Sequence, residues 1–236
     1  ADLVVLNGGG YDAFMETLVK EESVASENVL NAVQISGLEE EGHADEDHAE
    51  EETGGDHAGH SHGAFNEHVW YDPEAMGLLA EAAAERLAEL DPENEQVFRD
   101  NAADFSAGIQ ELEQRLEGLR DQASGRDVAM TEPVPAYLLE DAGLHNVTPD
   151  DFTESVEEGQ DVPPAVLKTM QDLMASGSIA FLAYNEQTST AQTEAVRRTA
   201  EDAGVPVVDF SETLPENEDY LAWMNRNVTA VQDVLK

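Results

Sequence analysis

The sequence contains no cysteine. That excludes a disulfide, a thiolate metal site and a cysteine nucleophile, so any bound metal must be held by nitrogen and oxygen donors. Basic residues are also scarce. Lys and Arg number 11 against 52 acidic residues, which gives a formal net charge of −41 over 236 residues. Nucleic acid is excluded as a partner on this ground, because phosphate contacts need cationic side chains. Charge-driven adhesion to an anionic membrane is disfavoured for the same reason. No run of 18 apolar residues occurs, so no segment reads as a membrane-spanning helix. There is no His-Glu-x-x-His pair, no Gly-x-Ser-x-Gly elbow and no phosphate-binding glycine loop, "NGGGYD" at 7–12 being too weak a match. A secretory signal pattern is also lacking. The chain runs from Ala1 straight into "DLVVLNGGG", which reads as an internal strand, so a further N-terminal segment is expected in the native protein.

What is present is acid, apolar periodicity and histidine. Ten acidic residues and no basic ones lie in 39–57, which leaves −31 on the rest of the chain. Such a charge gives a solvated, soluble surface. It also fits adaptation to high salt, where screening removes self-repulsion. Apolar residues make up 41%, enough for a substantial core.

The patterning alternates. "ADLVVLNG" reads as a buried strand, "YDAFMETLVKEE" as a helix and "ENVLNAVQISG" as a second strand. Residues 38–66 have no apolar period and read as a low-complexity loop. Asp72-Pro73 opens a helix, and Asp91-Pro92 is expected to open the next. Val97, Phe98, Ala102, Phe105, Ile109, Leu112, Leu116 and Leu119 then recur at steps of mainly three and four, the mark of one long amphipathic helix. After it come "DVAMTE" (strand), "PAYLLEDAG" (helix), "HNVTPDDF" (extended), "PPAVLKTMQDLMASG" (helix) and "IAFLAYN" (strand). "TAQTEAVRRTAEDAG" (helix), "PVVDF" (strand) and a closing helix complete the chain. Alternation of this kind predicts an α/β fold with parallel sheets flanked by helices.

Functional groups in such sheets sit just past the C-terminal ends of strands. Glu132 in "AMTEP", Asp209 and Glu212 in "VVDFSET", and His68 in "NEHVWYDP" occupy such places. Imidazole with carboxylates suits Zn²⁺ or Mn²⁺. Each residue also has a plain structural reading: a helix-entry histidine, a helix start before Pro133, a surface acid. Six of the seven histidines fall between 43 and 68. Five of them, His43, His48, His57, His60 and His62, lie in the acidic low-complexity stretch. Imidazoles on a flexible tether suit weak, exchangeable metal capture, with a simple solvated linker as the alternative. His68 sits apart, held by "VWYDP" at the mouth of a helix.

Three segments carry a resemblance: "ADLVVLNGGGYDAFMETLV", "EHVWYDPEAMGLLAEAAAERLAELDPENEQVFRDNAADF" and "FSETLPENEDYLAWMNRNV". Together they resemble the zinc/manganese substrate-binding proteins of ABC transporters, over essentially the whole chain. The resemblance implies two α/β lobes joined by one long rigid linker helix, with the metal in the cleft between lobes. It implies an N-terminal lobe over 1–92, a linker helix over 93–122 and a C-terminal lobe over 123–236. His68, Glu132 and Glu212 match three of the family's four ligand positions. The fourth is a histidine in a segment upstream of "ADLVV". In "YNEQTSTAQTE", Asn185 and Glu186 are expected to line or brace the site, with helix capping by Thr188 or Ser189 as the equal alternative. The implied role is extracytoplasmic capture of a divalent metal by a monomer, with delivery to a membrane permease. A lipoprotein anchor through the upstream segment is implied as well. The His-rich loop points to zinc, whereas Glu132 in place of a histidine points to manganese. Zinc is favoured, and no enzymatic activity is expected. The rival readings are a hydrolase using Zn²⁺-bound water and a buffer that binds metal through the loop alone.

Overall fold

The computed structural model describes residues 1–38 and 65–236. His43, His48, His57, His60 and His62 therefore lie outside the described residues. The described chain divides into two units, Ala1–Ala107 and Gly108–Lys236.

In the first unit, β1 (Val4–Leu6) and β2 (Val29–Asn31) pair in parallel, with Val4 opposite Val29 and Leu6 opposite Asn31. Helix α1 (Ala13–Glu21) connects them. "ENVLNAVQISG" is a strand only as far as Asn31; Ala32–Ser36 is helix α2. The reason is local. The Asn31 side chain accepts from the Gln34 N–H at 3.1 Å, an N-cap that ends the strand and starts the helix. Helix α3 (Pro73–Leu90) opens as expected, with Asp72 accepting from the Ala75 N–H at 3.0 Å. Its inward positions are Ala75, Ala84 and Ala88, small enough for close approach, and α3 packs on α2. Leu6, Val33, Val69 and Tyr71 are the larger side chains of this core.

Helix α4 (Glu95–Ala123) is the long helix, 29 residues and about 44 Å at 1.5 Å per residue. It begins later than expected. Asp91 accepts from the Asn94 side-chain amide at 2.7 Å rather than capping backbone, and Pro92–Asn94 forms a 3₁₀ turn. The apolar stripe is buried only in its second half, at Ile109, Leu112, Leu116, Leu119 and Ala123. Val97 is exposed.

The second unit is built on four parallel strands in the order β4-β3-β5-β6. These are β3 (Asp127–Met130), β4 (His145–Asn146), β5 (Leu182–Asn185) and β6 (Val207–Phe210). Its helices are α5 (Ala136–Asp141), α6 (Asp150–Glu157), α7 (Pro164–Ala175), α8 (Ala191–Ala203) and α9 (Tyr220–Leu235). The expected extended piece 145–152 holds over its first part, where His145–Asn146 is β4, but its last three residues open helix α6. Pro149 precedes it, Asp150 and Asp151 occupy its first turn, and Phe152 and Val156, four apart, are buried. Two apolar positions in eight residues are too few to show a period in sequence. Phe152, Met170, Met174, Leu182, Tyr184 and Val196 are central to the buried core. The fold is α/β with parallel sheets flanked by helices. Among the described residues no helix is long and apolar enough to cross a membrane.

Candidate metal centre

His68 leads into the 3₁₀ turn Val69–Tyr71 and from there into α3. It is only 6% exposed. The Asn66 side-chain oxygen accepts from the His68 backbone N–H at 3.2 Å and lies 2.7 Å from ring Nδ1. Being the acceptor for that backbone N–H, this atom is the amide oxygen, so Nδ1 carries the ring proton. In the neutral imidazole that leaves Nε2 as the ring nitrogen able to ligate a metal. The Trp70 ring stands edge-on to the imidazole at 5.0 Å, and Tyr11 packs on Trp70 at 4.7 Å.

The weak motif "NGGGYD" supports this loop. The Asn7 side chain donates to the Glu67 carbonyl at 2.8 Å, and Asp12 accepts from the Asn7 and Gly8 N–H groups at 2.8 and 2.9 Å. Gly8 has φ +84, and a Cβ there would come within 2.3 Å of Asn31 Oδ1. Only glycine lets the turn close against the α2 cap. Replacing Asn66 with leucine, similar in size but without an acceptor, is expected to weaken zinc binding about 10- to 100-fold. The check is a zinc titration at neutral pH. Unchanged affinity would show that Asn66 does not set the tautomer.

In the second unit, three neighbouring parallel strands end side by side, and candidate residues follow each end. Glu132 comes two residues after β3, Asn185 closes β5, and Glu212 comes two residues after β6. Because β5 lies between β3 and β6, Asn185 stands between the two acids in strand order. Glu132 is 6% exposed. Asn185 Nδ2 donates to Glu132 Oε2 at 2.5 Å, and the Thr188 hydroxyl donates to the same oxygen. Asn185 Oδ1 accepts from the Gln187 N–H at 3.0 Å, which fixes the amide with its NH₂ toward Glu132. The Asn185 N–H donates to Thr131 Oγ1 at 3.1 Å, which ties the β5 end to the β3 end. Both hydrogen bonds load Oε2, so Oε1 is the oxygen the arrangement offers to a cation. Burial pushes the Glu132 carboxyl above its ordinary range. The Thr188 and Asn185 hydrogen bonds pull it back, and the charge of Glu212 raises it again. A buried carboxylate held by donors on one oxygen and pressed by a neighbouring carboxylate suits a hard or borderline divalent cation.

Glu186 and Asp209 are drawn elsewhere. The Arg197 guanidinium lies 3.6 Å from Glu186 and 3.1 Å from Asp209, and it stacks 4.7 Å above the Tyr184 ring. Helix α8 is capped by neither Thr188 nor Ser189. Thr190 caps it, in a reciprocal box with Thr193. Thr188 serves Glu132, and the Ser189 hydroxyl accepts from Tyr184 OH at 3.0 Å. His145 is at the opposite end of β3, exposed, with Nδ1 3.0 Å from Asp127. Sequence reading missed Asn66, Thr188 and Gln187. Thr188 reads in sequence as a candidate helix cap and not as a partner of Glu132, and nothing in sequence distinguishes Asn66 or Gln187.

Comparison with known proteins gives a consistent picture. A family model described as ZnuA, zinc-uptake complex component A, periplasmic, matches residues 1–234. The zinc-binding protein AdcA of Streptococcus pyogenes serotype M6 is 25% identical over 177 residues, 72% of this chain and 33% of AdcA. The chain thus spans about a third of the length of the curated relatives it matches. Among solved structures, FpvC of Pseudomonas aeruginosa in complex with Mn²⁺ aligns with a TM-score of 0.70 at 20% identity, covering 99% of this chain and 79% of that one. The Zn(II)-bound AdcAII variant of Streptococcus pneumoniae aligns with a TM-score of 0.69 at 20% identity, covering 100% of this chain and 81% of that one. These alignments show a shared fold.

Proposed function

The chain belongs to the zinc-uptake complex component A family, and from that premise we propose that it captures a divalent transition metal, zinc, outside the cytoplasm and delivers it to an ABC-transporter permease. His68 through Nε2, Glu132 through Oε1, and Glu212 are the ligands in this reading. Asn185 braces Glu132 directly. Glu186 acts one step further out, holding the same strand-to-helix turn to Arg197. The observation that carries the reading is the buried Glu132 carboxylate, which accepts two hydrogen bonds on Oε2 and has Glu212 as a charged neighbour. Isolated, such a group costs stability, and a bound cation offsets that cost. The role ends at binding and release, with the ion as cargo rather than as a catalytic group. The His-rich loop supplies weak, exchangeable capture beside the tight site.

Manganese is the second reading. It rests on the donor set of the second unit, where both candidate ligands are carboxylates, hard oxygen donors that suit Mn²⁺.

Titration calorimetry with zinc and with manganese tests both. One tight site is expected, lost when His68, Glu132 and Glu212 are changed together to alanine. Deleting residues 43–62 is expected to remove only weak sites. A tight site that survives the triple change would reject the assignment. Tighter binding of manganese than of zinc would favour the second reading.

A further inference from the structure

We infer that Gln187 is a positioning residue that sets the spacing of the two carboxylates, Glu132 and Glu212, and so tunes metal affinity. The inference rests on the metal-binding reading above. Glu212 lies in the loop after β6, which has no regular hydrogen-bonding ladder of its own to place it. Gln187 supplies the placement. Its Oε1 accepts from the Glu212 N–H at 2.6 Å and from the Thr213 N–H at 3.2 Å, while its Nε2 donates to Thr213 Oγ1 at 2.8 Å. One side chain thus grips two consecutive backbone N–H groups and the adjoining hydroxyl.

The other end of Gln187 is tied to Glu132. Its backbone N–H donates to Asn185 Oδ1, and Asn185 Nδ2 donates to Glu132 Oε2. The result is an unbroken chain: Glu132 carboxylate, Asn185 amide, Gln187 backbone, Gln187 side chain, Glu212 backbone. Every link but the Gln187 residue itself is a hydrogen bond, and Asn185 is buried. Two like charges brought close repel each other before a cation arrives. Without the Gln187 hydrogen bonds, the loop carrying Glu212 would lose part of the restraint that holds it against that repulsion. The chain fixes that geometry in advance, which is how groups beyond the ligands raise metal affinity. Gln187 makes no claim on the metal itself; it acts through the backbone of Glu212.

The test uses the full chain and two replacements of nearly equal size. Gln187→Met keeps length and packing but cannot accept. Gln187→Glu keeps the acceptor for both N–H groups. Zinc affinity is measured together with the visible absorption of the Co²⁺-loaded protein, which reports coordination geometry. Glu212→Ala is the control for the underlying reading. Gln187→Met is expected to bind zinc about 10-fold more weakly, with an altered Co²⁺ spectrum, while Gln187→Glu stays close to the parent. The low end of the usual range applies because the hydrogen bonds to Glu212 are exposed. If Gln187→Met matches the parent in affinity and spectrum while Glu212→Ala binds weakly, the positioning role is overturned and the metal site stands. Equal weakening in both Gln187 variants would also overturn it, because the acceptor would then not matter. If Glu212→Ala itself binds like the parent, the ligand assignment fails, and the inference with it.

Discussion

Replacing Glu132 with glutamine is expected to raise the melting temperature of the metal-free protein and to lower that of the zinc-loaded protein. The two effects have one cause. Glu132 is buried, and its carboxyl is raised from its ordinary 4.5, chiefly by desolvation, with Glu212 adding repulsion. A carboxylate raised on folding contributes stability that is fully present below its unfolded value and lost as pH rises through its folded one. At neutral pH, where the unfolded carboxyl is ionised, the metal-free protein therefore carries a cost for burying this group. Glutamine removes the charge, and its amide oxygen can still accept from Asn185 and Thr188. A gain of about 1–2 kcal/mol follows, or roughly 2–8 °C for a chain of this size. With zinc the sign reverses. At about 1,000-fold excess over Kd the parent gains about 4 kcal/mol from binding. A variant with about 100-fold weaker affinity keeps only about 1.4 kcal/mol of that. Thermal melts of both proteins with zinc and with a chelator give the four temperatures required. A variant destabilised in both conditions would mean that Glu132 serves the fold and not the metal.

This sign reversal marks what a sequence can and cannot show. The α/β alternation was legible because apolar period and cap coincide, as where Asp72-Pro73 opens α3. Legibility failed where a short polar residue decided the outcome. Asn31 turns an apolar run from strand to helix with one hydrogen bond, and no periodicity records that. Asp91 shows the converse, a cap residue that bonds a neighbouring side chain and delays its helix. Glu132 and Glu212 could be singled out as candidates by their place after strand ends, whereas His68 follows no strand and is marked by the resemblance. Of their supports only Asn185 was expected; Asn66, Thr188 and Gln187 act through atoms brought close by tertiary structure. A glutamine whose side chain reaches the backbone 25 residues further on leaves no local trace. The five loop histidines, so conspicuous in sequence, lie outside the described residues, and the reading of them stays a compositional one.

The largest effect of solvent should come from salt. The net charge of −41 already counts every Lys and Arg, so no arrangement of internal pairs can neutralise it. Arg86 pairs with Glu89, Arg99 with Glu95, Lys168 with Asp172, Arg198 with Glu194 and Lys236 with Asp233, all within one helical turn or so. Arg197 faces Glu186, Glu201 and Asp209 at once. Such local, exposed pairs contribute about 0.3–0.5 kcal/mol each, and they leave most of the acids opposed only by one another. Two like charges about 10 Å apart in water repel by about 0.4 kcal/mol, and raising salt from about 0.1 M to about 1 M shortens the screening length from about 10 Å to about 3 Å. Summed over many neighbouring acids, relief of several kcal/mol is expected, against a small loss from the screened pairs. The melting temperature should therefore climb by about 10 °C between about 0.1 M and about 1 M KCl. Melts in KCl against equal osmolality of sucrose separate screening from general exclusion of solute from the surface. A rise in sucrose equal to that in KCl, or a melt that ignores salt, would show that the acidic surface is solvated without being held in check by ions.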